Sequence, residues 1–108
     1  MRIELIYHNG SLPKQKIVLG DLPVMIGRNP DFGVFLSDSR VSRMHCVMAL
    51  DKGKLVVRDL ESEHGTFVNG SPVKEAYLTP GDELTLGKTD FIVDYELDAP
   101  ALPGFGVV

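Results

Sequence analysis

The 108-residue sequence predicts an all-β domain, a sandwich or barrel of short strands. Three observations carry that expectation. Apolar residues alternate with polar ones along several segments, turn-forming residues punctuate the chain at close spacing, and the 44% apolar and 24% charged content is that of a globular chain with one core.

Taken in order, Ile3, Leu5 and Tyr7 share one face of a first strand that ends at the turn signal His8-Asn9-Gly10-Ser11. Lys16 to Leu19 and Val24 to Gly27 are the next strand candidates, separated by Gly20-Asp21. Asn29-Pro30-Asp31 then turns the chain into a short candidate from Gly33 to Leu36. The following stretch is ambiguous: residues 34 to 52 contain neither Gly nor Pro, and Val41, Met44 and Met48 fall at helical spacing. Against a helix, Cys46, Met48 and Leu50 alternate as in a strand, and Ser37, Asp38, Ser39 and Ser42 favour turns and caps, so the expectation is a loop and then a strand. Leu55 to Leu60, Thr66 to Asn69, the pair Leu84 and Leu86, and the run Phe91, Val93, Tyr95, Leu97 complete the candidates. Residues 1–98 are read as one domain, and the Pro/Gly-rich residues 99–108 as a tail or the start of a linker.

A net charge of −4 argues against a nucleic-acid-binding surface, because polyanion affinity comes from clustered cations, so any anion site must be local. Cys46 is the only cysteine, which excludes an internal disulfide, and its apolar neighbours suggest a small buried hydrophobe. No apolar run has the length of a membrane span or the form of a signal peptide, so the expected setting is the cytoplasm, away from membranes.

Several motifs that suggest chemistry lack the context it needs. Asp31-Phe32-Gly33 spells a kinase metal-binding triplet, but the chain has no catalytic or glycine-rich nucleotide loop around it, and the plainer reading is a turn. His8, His45, His64 and Cys46 show no closed-site metal spacing, and no metal or other cofactor is expected. Ser42 and His45 stand three apart without a nucleophile elbow, so no catalytic residues are assigned and the chain is read as non-enzymatic.

Three islands remain: Gly27-Arg28, Ser42-Arg43-Met44-His45, and the run from Ser62 to Gly70. Each lies at the end of a predicted strand, and loops at one end of a sandwich can meet on one ligand. Arg28, Arg40 and Arg43 would then form a cationic spot on an acidic domain, although any one arginine alone is most simply solvated surface charge.

On these residues the chain resembles a forkhead-associated (FHA) domain. The matching segments run in order as Met25-Ile26-Gly27-Arg28, Val41-Ser42-Arg43-Met44-His45, Val57-Arg58-Asp59-Leu60, Gly65-Thr66-Phe67-Val68-Asn69-Gly70, and Leu78 to Gly87, spanning roughly residues 2 to 97. The resemblance implies a twisted two-sheet sandwich of about eleven mostly antiparallel strands with its binding loops at one end. It implies a non-catalytic module that binds threonine-phosphorylated proteins and so depends indirectly on a Ser/Thr kinase; the alternative is phosphate-independent association or self-association. A monomer is the expected state.

Carried over by position, Arg28 and Ser42 look like phosphate ligands and Arg43 like a further phosphate or peptide contact. Gly27, His45, Gly65, Thr66, Asn69 and Gly70 look like structural support, with Asn69 either structural or facing the peptide backbone. The chain departs from the common pattern at His64, where asparagine is usual, and at Glu63, where a neutral or basic residue is usual. Both positions, with Arg40, are expected to affect which peptides are accepted, Arg40 by attracting an acidic residue after the phosphothreonine.

Overall fold

A computed structural model of the chain describes residues 1–8, 15–31 and 33–97. Most of the expected turn beginning at His8-Asn9, and the segment 99–108 expected to be a tail, lie outside these residues. The described chain forms eleven strands: β1 (Arg2–Tyr7), β2 (Lys16–Leu19), β3 (Val24–Gly27), β4 (Val34–Phe35), β5 (Cys46–Asp51), β6 (Lys54–Asp59), β7 (Thr66–Val68), β8 (Ser71–Val73), β9 (Glu75–Leu78), β10 (Glu83–Leu86) and β11 (Thr89–Glu96).

They make a six-stranded sheet ordered β2-β1-β11-β10-β7-β8 and a five-stranded sheet ordered β4-β3-β5-β6-β9. All pairings are antiparallel except β3 with β4. The period-two patterns select the inward faces: Ile3 and Leu5 of β1, Leu84 and Leu86 of β10, and Phe91 and Val93 of β11 are fully buried opposite Ile26, Cys46, Met48, Leu55 and Val57. No helix forms at residues 34–52. The loop from Leu36 to His45 leads into β5, whose Cys46 and Met48 point inward and whose backbone pairs with both β3 and β6.

β8 and β9 are strands that the alternation does not announce. β8 is Ser-Pro-Val at the edge of its sheet, where Pro72 is tolerated, and β9 buries only Leu78 fully. Two expected strands are shorter than their patterns. Gly33 adopts a left-handed φ of 60° and stands outside β4, and Asn69 (φ 50°) turns the chain after Val68.

The register places several connections at one end of the sandwich. β3 finishes at Gly27, its partner β5 starts at Cys46, and β6 finishes at Asp59 opposite Cys46. β7 starts at Thr66 beside Leu86, the last residue of β10. The segment that follows Gly27, the segments 36–45 and 60–65, and the β10–β11 turn therefore leave the sheets together. No helix of the described residues is long and apolar enough to cross a membrane.

Candidate functional site

The loop from Leu36 to His45 is held at both ends by β3. Leu36 N–H donates to the Gly27 carbonyl (2.8 Å) and His45 N–H to that of Ile26 (3.0 Å). Gly27 lies directly under this loop: a Cβ there would sit 2.0 Å from the Arg43 carbonyl oxygen, so no side chain fits without moving the backbone. Arg28 grips the same loop twice, its backbone N–H donating to the Ser42 carbonyl (3.0 Å) and its Nε–H to the Val41 carbonyl (3.0 Å). The two terminal amino groups of its exposed guanidinium have no partner among the described residues.

His45 is fully buried and links two loops. Its Nδ1 accepts the Ser42 N–H (3.0 Å), so the ring proton sits on Nε2, which donates to the Gly65 carbonyl at 2.9 Å. The Ser42 hydroxyl oxygen accepts from the Glu63 N–H at 2.9 Å, a second tie between the loops, and its own proton stays free to donate. The side chains of Arg40, Arg43 and His64 are exposed and make no hydrogen bond or ion pair among the described residues; Glu63, also exposed, is anchored through its backbone.

Asp59, at the end of β6, organises the 60–65 segment. Its carboxylate accepts from Ser62 N–H (3.1 Å), Ser62 Oγ–H and buried Thr66 Oγ1–H (2.8 Å), while Ser62 Oγ in turn accepts the Gly65 N–H (3.0 Å). Burial alone would raise the Asp59 carboxyl, but the hydrogen bonds from Ser62 and Thr66 outweigh it and hold it below its ordinary value. Gly65 has a left-handed φ of 90°.

Of the residues singled out from sequence, Gly27, Arg28, Arg40, Ser42, Arg43, His45, Glu63, His64, Gly65 and Thr66 thus lie on the strand ends and loops of one end. Asn69 and Gly70 do not. They form the turn at the other end of β7, about 10 Å along a three-residue strand. There the Asn69 side chain donates to Asp82 Oδ1 (3.1 Å) and accepts from Glu83 N–H (2.9 Å), fixing the β7–β8 turn against the start of β10.

The sequence alone gives Asp38 and Asp59 no role in holding these loops and marks Gly87 only as a turn residue. Asp59 and Gly87 were inside matched segments, and the turn preference of Ser37-Asp38-Ser39 was the signal for the other. Gly87 shows why its position is a glycine: φ is 63°, and a Cβ would lie 2.9 Å from Asp38 Oδ2 and 3.0 Å from Val41 Cγ2.

The family model for the FHA domain matches residues 24–87. The chain is 38% identical over 84 residues to the glycogen accumulation regulator GarA of Mycolicibacterium smegmatis, covering 78% of this chain and 53% of that protein. It is 33% identical over 84 residues to the oxoglutarate dehydrogenase inhibitor of Corynebacterium efficiens, covering 78% of this chain and 59% of that one. The chain therefore spans little more than half the length of these curated relatives. Among solved structures, one from a study of phosphothreonine-dependent FHA domain interactions superposes with a TM-score of 0.74 at 33% identity, covering 90% of this chain and 99% of that one. The FHA domain of FhaA, solved in complex with the intracellular domain of Rv3910, gives 0.70 at 35% identity, covering 84% and 98%.

Proposed function

The chain belongs to the FHA domain family, and from that premise we propose that it is a non-catalytic module that recruits threonine-phosphorylated proteins, switched by the Ser/Thr kinase that modifies the partner. The observation that carries this reading is the pairing of Arg28 and Ser42. One face of each is tied to the loops, and the remaining donors, two guanidinium amino groups and one hydroxyl proton, have no partner within the described chain.

A phosphothreonine brings a charge of about −1.5 to −2 and three strong acceptor oxygens. Fixed donors meet it at low ordering cost, because the Val41 carbonyl and the Glu63 N–H already hold the two side chains. Arg28 presents a planar fork to two oxygens, Ser42 a compact donor to one, and Arg43 a further positive charge nearby. Gly27, His45, Gly65 and Thr66 keep the loops in place; Asn69 and Gly70 support the opposite end of β7.

Peptide choice follows from the charges around this pocket. Arg40 favours an acidic residue after the phosphothreonine, Glu63 disfavours acidic residues on its own side, and His64 offers a donor or an acceptor to the peptide backbone. A phosphopeptide library in which Arg40→Ala leaves the preference unchanged would remove Arg40 from this account.

The deciding experiment titrates one peptide in phosphorylated and unphosphorylated forms against the wild type and Arg28→Ala. The expected result is binding of the phosphorylated form alone, weakened about tenfold to a hundredfold by the substitution. Equal affinity for both forms sinks the reading.

The second reading is phosphate-independent association; Phe35 and Tyr77, two of the large exposed side chains, lie on opposite edge strands of the five-stranded sheet and form no common patch. Retained capture of an unphosphorylated partner by Ser42→Ala would establish it.

A further inference from the structure

The loop that carries Ser42 is anchored to the opposite sheet through the side chain of Asp38. Its Oδ2 accepts from the Lys88 N–H (2.8 Å) and from Thr89 Oγ1–H (2.7 Å), both at the β10–β11 turn. Its Oδ1 accepts from the Arg40 N–H (2.9 Å), and its main-chain carbonyl accepts from the Val41 N–H (2.9 Å). One residue thus ties a loop of the five-stranded sheet to a turn of the six-stranded sheet and folds that loop around itself.

What the loop then holds is the phosphate machinery. Val41 is fixed between the Asp38 carbonyl on its N–H and the Arg28 Nε–H on its carbonyl, and its side chain is buried. The next residue is Ser42. The fit is tight from the other side too, since Gly87 leaves no room for a Cβ against Asp38 and Val41. Hydrogen bonds from Thr89, Arg40 and Lys88 outweigh the cost of burial and keep the Asp38 carboxyl below its ordinary value, consistent with a carboxylate that acts as a pure acceptor.

We propose that Asp38 is a positioning residue of the phosphate site: clamped to the β10–β11 turn, it fixes Val41 and through it sets the Arg28 guanidinium and the Ser42 hydroxyl as one preformed unit. Asp38 touches no ligand in this arrangement; it acts through Val41. The proposal rests on the phosphothreonine reading above.

The test uses Asp38→Asn and Thr89→Val. Asp38→Asn keeps size and one acceptor but turns an amide group toward the Lys88 N–H, and Thr89→Val removes one bond to Asp38 from outside the loop. Two readouts are taken at a temperature where circular dichroism shows every variant folded: phosphopeptide affinity, and the solvent exchange of the Arg28 Nε–H proton by NMR in the free protein.

Positioning predicts faster Nε–H exchange in both variants. It predicts about a tenfold loss of affinity in Asp38→Asn with a smaller loss in Thr89→Val, as expected for disturbed bonds to a charged group. It also predicts that Arg28→Ala costs much less in the Asp38→Asn background than in the wild type, the non-additivity of residues acting as a unit. Unchanged exchange, affinity within twofold of wild type, or strict additivity with Arg28→Ala would overturn the proposal and leave the phosphothreonine reading intact. Wild-type binding indifferent to phosphate would overturn both.

Discussion

The imidazole of His45 donates from Nε2 to the Gly65 carbonyl, 20 residues further along the chain, while Nδ1 receives the Ser42 N–H. Both ring nitrogens are therefore occupied within the fold, and the ring is fully buried. A serine and histidine three apart are here a donor and its support, and the histidine has no nitrogen left to act as a base.

Replacing His45 by Ala should leave the part-buried Ser42 N–H and Gly65 carbonyl without their partners, each costing up to about 1–3 kcal/mol, and empty the buried space of the ring. The expected loss of stability is about 2–5 kcal/mol on that principle, with phosphopeptide affinity falling in whatever fraction remains folded. Urea denaturation monitored by intrinsic fluorescence or circular dichroism measures it, and a loss below about 1 kcal/mol would contradict the bridge.

Gly27→Ala tests the close approach of β3 to the loop. A Cβ 2.0 Å from the Arg43 carbonyl requires the backbone at residues 42–43 to move. The expected outcome is a loss of about 1–3 kcal/mol, typical of overpacking, together with weaker phosphopeptide binding. Gly53→Ala is the control, strained in φ but with open space around it, and it should leave binding unchanged.

Acid should unfold this domain through a small set of aspartates. Asp38, Asp59 and Asp82 are each held below the ordinary carboxyl value, in every case by hydrogen bonds that outweigh the effect of burial. A depressed folded value means that the unfolded chain binds more protons, so stability rises with pH in this range. The contribution is present above the unfolded value of about 3.9 and is lost as pH falls through the lower folded values. Stability measured by urea unfolding from pH 6 downward should drop below about pH 4, and Asp59→Asn should flatten that drop while lowering the plateau. A drop of unchanged steepness in Asp59→Asn would remove Asp59 from the set.

Cys46 is fully buried in β5, and burial followed by the nearby Asp59 charge pushes its thiol far up. Since the thiolate is the reactive form, iodoacetamide at pH 8 should leave the folded protein unlabelled and label it in urea. Mass spectrometry separates the outcomes, and rapid labelling without denaturant would place Cys46 outside the core.

Much of the fold was legible in the chain. The alternation of Ile3, Leu5, Leu84, Leu86, Phe91 and Val93 decided which faces turn inward, because a strand's side chains alternate whatever its partners are. The turn residues of Ser37-Asp38-Ser39 weighed against a helix, and the structure has a loop there. Arg28, Ser42 and His45 were visible as islands at strand ends. β8 and β9 were not visible, because a three-residue edge strand and Glu-Ala-Tyr-Leu carry too few buried residues to show a period.

By itself the sequence determined the strand faces, the glycines at tight places and the residue types available for an anion. The tertiary structure alone decided who holds whom: Asp38 to Lys88 across 50 residues, His45 to Gly65 across 20, and Asn69 at the far end of β7 from the loops. The physical reason is range. Alternation and turn preference are properties of neighbouring residues, whereas the partner of a carboxylate or an imidazole is set by which strand ends the two sheets bring together, and nothing near Asp38 in the chain encodes the turn at Lys88.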